Sequence, residues 1–185
     1  MIRVHDKDFR LYMSEAEIAK MVSRMAAEIS RDLKGQDPLF VVTLTGAYIF
    51  ASDLVRQLDF DAEVCFVKYS SYSGMESTRK VRAALPFAEQ CRGRQVVLVE
   101  DIVDTGITMD YMLKELAQMQ PAGVKIASLL FKPDCFQRDF KIDYLGCSIP
   151  SDFIVGYGMD YDNKGRSYRD IYVLADAKES ERKEK

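Results

Sequence analysis

The chain has 185 residues, 48% of them apolar, with 26 Lys and Arg against 29 Asp and Glu and a formal net charge of −3. That is one domain with material for a buried core, and its charge balance excludes a general nucleic-acid binder, which is basic. Apolar runs such as Val96-Val97-Leu98-Val99 are too short to span a membrane, and a single histidine, His5, rules out a Ser–His–Asp triad or a zinc site of several imidazoles.

The N-terminus, MIRVHDKDFR, is charged where a secretory leader would be apolar, so export is not expected. Ser14-Glu15-Ala16-Glu17 has the S-x-x-E form of a capping box. It opens an apolar stripe at helical spacing, Ile18, Met21, Val22, Met25, Ala26, Ile29 and Leu33, closed by Lys34-Gly35. Leu39 to Leu44 is a short buried strand ending at Thr45-Gly46, and residues 47–58 return to helical spacing. Ala62 to Ser70 reads as a second strand. The following polar stretch, through Ser71, Tyr72 and on to Lys80, is either a solvated surface loop or a mobile lid.

Arg94 to Val99 has the continuous apolar character of a strand in the middle of a parallel sheet. A helix over 107–120 follows, then Pro121-Ala122-Gly123, then a strand from Val124 to Phe131. Beyond Pro133 the pattern becomes irregular, and Ile171 to Leu174 is a last strand before a charged tail over 176–185. Cys65, Cys91, Cys135 and Cys147 lack C-x-x-C spacing and are expected to be free thiols in a reducing cytoplasm, Cys65 within the core. The alternation predicts one doubly wound α/β domain, with a mostly parallel sheet flanked by helices and a small irregular lobe late in the chain.

Chemistry concentrates in one stretch. After Val96-Val97-Leu98-Val99 come Glu100, Asp101 and Asp104, then a turn, Thr105-Gly106-Ile107-Thr108, that opens a helix. Ligands of open parallel sheets bind beyond the carboxyl ends of the strands, and a helix N-terminus behind a Gly turn is a natural phosphate cradle. The acids would repel one another unless a hydroxyl-bearing substrate or a divalent metal met them. Without histidine at hand, acid–base work falls to carboxylates, Lys, Tyr or Cys.

The stretch VVLVEDIVDTGITM resembles the phosphoribosyl-diphosphate (PRPP) motif of type I phosphoribosyltransferases, and most resembles its hypoxanthine-guanine version. Three further blocks agree in order: Leu44-Thr45-Gly46-Ala47 with the pyrophosphate loop, Ser71-Tyr72 with the flexible lid, and a purine-binding lobe. That lobe is matched by Leu129 to Pro133, Ile149 to Tyr161 and Arg166, and the resemblance runs from about residue 10 to 174.

The resemblance implies a core over 10–174 with a hood of mainly C-terminal residues joined by N-terminal ones. Glu100 and Asp101 would accept the ribose hydroxyls, with Mg²⁺ nearby. Asp104, Thr105, Gly106, Ile107 and Thr108 would wrap the 5-phosphate, and Asp104 would also face purine N7 as general base or charge-stabilising acceptor. Leu44, Thr45, Gly46 and Arg166 would hold pyrophosphate. Lys132 would donate to the 6-oxo group, Phe153 would stack on the purine, and the Ile154 backbone would read its edge. Glu100, Asp101 and Asp160 would serve the metal. Thr45 stands where the family often has a basic residue, so its part would be backbone geometry. The implied activity is purine salvage: transfer of phosphoribose from PRPP to hypoxanthine, and to guanine, giving IMP or GMP and pyrophosphate. A cytoplasmic homodimer or homotetramer, with no nucleic-acid or membrane partner, belongs to the same expectation. The alternatives are a phosphoribosyltransferase for another base and a PRPP- or nucleotide-binding regulator on the same fold. Asp104 and the acidic charge speak against the regulator.

Overall fold

The computed structural model describes residues 1–71, 81–87 and 89–175, with backbone alone for 70, 71 and 81–83. Tyr72, most of the lid block and the charged tail lie outside the described residues. In chain order the elements are β1 (Ile2–Val4), β2 (Lys7–Met13), α1 (Glu15–Leu33), β3 (Leu39–Leu44), α2 (Tyr48–Val55), β4 (Glu63–Ser71) and β5 (Val81–Leu85). They continue with β6 (Gln95–Val103), α3 (Ile107–Gln118), β7 (Gly123–Phe131), β8 (Tyr144–Ser148), β9 (Ile154–Val155) and β10 (Ile171–Leu174).

Six strands form the main sheet in the order β5-β4-β3-β6-β7-β8. All neighbours are parallel except β4 and β5. The winding therefore reverses between β3 and β6, and the crevice beyond their carboxyl ends is the topological switch point. Alternation along these strands feeds two cores. Phe40, Val42, Val97, Val99 and Leu129 face α1 and α2, while Leu39, Val41, Val96, Leu98 and Ile126 face Met112 and Leu116 of α3. Helix α1 presents Ile18, Val22, Met25, Ala26, Ile29 and Leu33 to the first core, as its spacing predicts. Its capping box is complete: the Glu17 N–H donates to the Ser14 hydroxyl and the Ser14 N–H to Glu17 Oε2 at 2.8 Å.

The structure departs from the sequence reading in four places. Strand β6 does not stop at Val99 but continues to Val103, so Glu100 and Asp101 lie in the sheet rather than just past it. The late lobe is not irregular: it is an antiparallel sheet in the order β1-β2-β10-β9 around Phe9, Val4 and Val155. Half of it comes from the charged N-terminus, where β2 buries Phe9 and leaves Arg10 and Leu11 exposed. Two edge strands, β5 and β8, also go unread in the sequence. Cys65 is only partly buried, and all four cysteines are free; burial pushes the Cys65 thiol up to about 11. Among the described residues no helix is long and apolar enough to cross a membrane.

The capping box gives a direct stability test. Ser14→Ala should cost about 1 kcal/mol in urea unfolding, and an unchanged midpoint would show that the cap contributes nothing.

Candidate active site

Two cavities open at the switch point. The first, about 250 Å³, is lined by Thr43, Leu44 and Gly46 from the end of β3, Tyr69 from β4, and Glu100 through Met109. The second, about 230 Å³, is lined by Asp101, Ile102, Asp104, Lys132, Phe153, Ile154, Met159 and Asp160. They share Asp101, Ile102 and Asp104, the residues at which β6 gives way to the turn before α3. One strand end thus forms a wall common to a polar chamber and a partly apolar one.

The polar chamber is shaped by close backbone packing. The Leu44–Thr45 peptide is cis. A Cβ at Gly46 would overlap the Asp101 carboxylate, so only glycine lets the loop after β3 approach the acid pair. Gly106 caps α3 with φ +77°, and a Cβ there would lie 2.6 Å from the Phe136 ring. The turn thereby sets the first turn of α3 along the chamber wall, with the positive end of the helix dipole behind it. The Thr105 hydroxyl accepts from the Ile107 N–H at 3.4 Å.

Burial and mutual repulsion govern the two acids in β6. Burial, then the neighbouring Asp101 charge, raises Glu100 well above the usual carboxyl range. Burial raises Asp101 as well, offset by hydrogen bonds from Glu100 and from the Asp101 and Ile102 N–H groups, and by the Arg166 charge. Both carboxyls are thus held above their ordinary range by the same burial, and each bears on the other.

The second chamber brings together residues far apart in sequence. Lys132, at the end of β7, is only 7% exposed, and its Nζ lies 3.6 Å from Asp104 Oδ2. Phe153 is not core: it is 45% exposed and packs edge-on against Tyr161 with centroids 5.8 Å apart. Ile154 is buried beside it in β9. Asp160 accepts the Asn163 N–H at 2.8 Å and pairs with Arg166 at 2.7 Å. Arg166 lines neither chamber; its Nη1 donates to the Gly158 carbonyl at 2.8 Å. Thr45 likewise lines neither, although Leu44 and Gly46 line the first. Of the lid pair, Ser71 ends β4 with its backbone opposite Val81, and Tyr72 is outside the described residues. Among the described residues no three His, Cys, Asp or Glu side chains cluster as a ready-made metal site.

Three residues were missed by sequence reasoning. Tyr69 walls the first chamber and donates to Glu115 of α3 at 2.8 Å. Met159 lines the second. Cys135 lies beside Asp104, and burial together with a hydrogen bond to that carboxylate pushes its thiol up. Only the block around Met159 carried a signal, its glycine-rich spacing; the other two depend on pairings across the fold. His5 donates to the Asp162 carbonyl at 3.1 Å, and it lines neither chamber.

The acid pair makes a test that needs no ligand. Asp101→Asn removes the adjacent negative charge, so the Glu100 midpoint, followed by carboxyl ¹³C NMR, should fall toward the ordinary range. A midpoint that holds or climbs would show that the neighbouring charge has no part in it.

The chain matches the phosphoribosyl transferase domain model over residues 12–162. It is 36% identical over 173 residues to the hypoxanthine-guanine-xanthine phosphoribosyltransferase of Tritrichomonas foetus, covering 92% of each. It is 34% identical over 178 residues to the hypoxanthine-guanine phosphoribosyltransferase of Aquifex aeolicus, covering 95% of this chain and 100% of the relative. The crystal structure of a hypoxanthine-guanine phosphoribosyltransferase from Bacillus anthracis superposes with a TM-score of 0.84 at 31% identity, over 91% of this chain and 99% of that one. With the switch-point site and these likenesses together, the chain belongs to the phosphoribosyltransferase family, in its hypoxanthine-guanine branch.

Proposed function

We propose that this enzyme of purine salvage transfers the phosphoribosyl group of PRPP to hypoxanthine and guanine, giving IMP or GMP and pyrophosphate. The observation that carries the reading is the shared wall of the two chambers. A sugar phosphate in the polar chamber and a base in the other would meet at Asp101, Ile102 and Asp104.

In this reading the first turn of α3, with Thr105 and Thr108, cradles the 5-phosphate. Glu100 and Asp101 accept the ribose hydroxyls, so substrate hydroxyls take over hydrogen bonds that the two acids otherwise make to each other. Asp104 takes the proton from purine N7 as N9 attacks C1 of the ribose and the bond to pyrophosphate breaks. Lys132, paired with Asp104, donates to the 6-oxo group and so selects hypoxanthine and guanine over adenine, whose amino group cannot accept. The half-exposed face of Phe153 stacks on the base, and the Ile154 backbone reads its edge. Leu44, Thr45 and Gly46 offer backbone groups to pyrophosphate, with Arg166 adding a cation.

The donor set fits Mg²⁺. Carboxylates at Glu100, Asp101 and Asp160 are hard oxygen ligands too few to form a cage, and Mg²⁺ takes one or two carboxylates together with phosphate oxygens and water. When bound, it would supply the positive charge that lets a polyanion approach these acids and lets pyrophosphate leave. A cytoplasmic homodimer or homotetramer completes the reading.

Release of pyrophosphate from PRPP and Mg²⁺ should be seen with hypoxanthine and guanine and not with adenine or uracil. No release with any 6-oxopurine would sink the proposal. Asp104→Asn should lower kcat by about 10²- to 10⁴-fold with the fold intact; a rate equal to the parent would remove Asp104 from its role.

A further inference from the structure

We infer that Tyr157 and Asp53 are positioning residues for the pyrophosphate end of the site, a role that rests on the function proposed above. Neither lines the two substrate chambers. Tyr157 is buried, and its hydroxyl donates to Asp53 Oδ2 at 2.6 Å across 104 positions of chain. Asp53 lies in the last turn of α2, where the helix dipole disfavours a carboxylate, so its presence there does nothing for the helix itself. What it holds is the segment after β9.

That segment is held in an unusual backbone state. Gly156, Tyr157 and Gly158 have φ of +103°, +48° and +101°. A tyrosine keeps a left-handed conformation only where its surroundings impose it. Here the Tyr157 N–H donates to the Tyr168 carbonyl at 2.8 Å while the side chain is tied to α2. Burial and the Asp53 carboxylate push the phenol far up, so it stays a donor throughout the working range.

The next residue joins both groups assigned to pyrophosphate. Gly158 lies so close to the Gly46 carbonyl that a Cβ would overlap it. Its own carbonyl accepts from Arg166 Nη1 at 2.8 Å, and its N–H donates to the Arg166 carbonyl at 3.0 Å. The loop after β3 and Arg166 therefore meet at one glycine. The Tyr157–Asp53 bond, one residue away, fastens that glycine to the helix growing directly out of the loop. Loss of this bond would let the loop and Arg166 drift relative to each other while leaving Lys132 and Phe153 where they are.

The test is Tyr157→Phe, which keeps the buried ring, with Asp53→Ala and Asp53→Asn. Magnesium pyrophosphate binding by calorimetry, and KM for PRPP, should weaken about ten-fold in Tyr157→Phe and Asp53→Ala, the scale of one hydrogen bond to a charged group. KM for hypoxanthine should stay within about two-fold, because a hydrogen bond lost at one end leaves the base contacts intact. Asp53→Asn retains an acceptor and should restore most of the affinity, and the Tyr157→Phe/Asp53→Ala double variant should be no worse than either single one. Unchanged pyrophosphate affinity in folded variants would overturn the inference. So would a parallel loss for both substrates with only a lower Tm. If the parent binds magnesium pyrophosphate but turns over no 6-oxopurine, the proposed function falls; the calorimetric comparison still decides the role of Tyr157 and Asp53.

Discussion

Two half-buried carboxyl groups side by side near the end of a central strand are the constraint around which this molecule is arranged. Glu100 and Asp101 cannot both ionise cheaply where they lie, and backbone N–H donors and the field of Arg166 offset part of that cost at Asp101. Those offsets dictate the neighbours. The β3 loop must come in as backbone only, which is why Gly46 faces Asp101. Arg166 must be held close enough to be felt, which is what Asp160 and Gly158 do.

Glycine and strand direction carry much of the specificity that side chains carry elsewhere. Gly46, Gly106 and Gly158 each stand where a Cβ would strike a carboxylate, an aromatic ring or a carbonyl. The chambers are thus defined by how near two backbones approach, and the reactive side chains are few.

The parallel core was legible because each of its strands is a short apolar run with a helix of clear period after it. Leu39–Leu44 and Ile171–Leu174 were placed to the residue, and the S-x-x-E box placed the start of α1. The first chamber was legible for the same reason: its acids and the turn before α3 are contiguous in one stretch. What escaped depends on distant pairing. Strands β1 and β2 look like a charged tail until β10 lies against them, and β6 looks finished at Val99 because carboxyl groups seldom belong inside a sheet. Tyr69–Glu115 and Tyr157–Asp53 leave no trace in local pattern, since each is one hydroxyl meeting one carboxylate across the fold.

The small sheet also sets an order of assembly. β2 pairs with β10, and β10 with β9, so the strand that carries Ile154, beside Phe153, gains its neighbours only once residues from both ends of the described chain are in place. The first chamber draws on β3, β4, β6 and α3, all complete by residue 118. During synthesis the walls of the first chamber can therefore form on the emerging chain, while the second waits for its most non-local contacts, the slowest kind to close. The wall that the two chambers share would then stand before the second chamber exists.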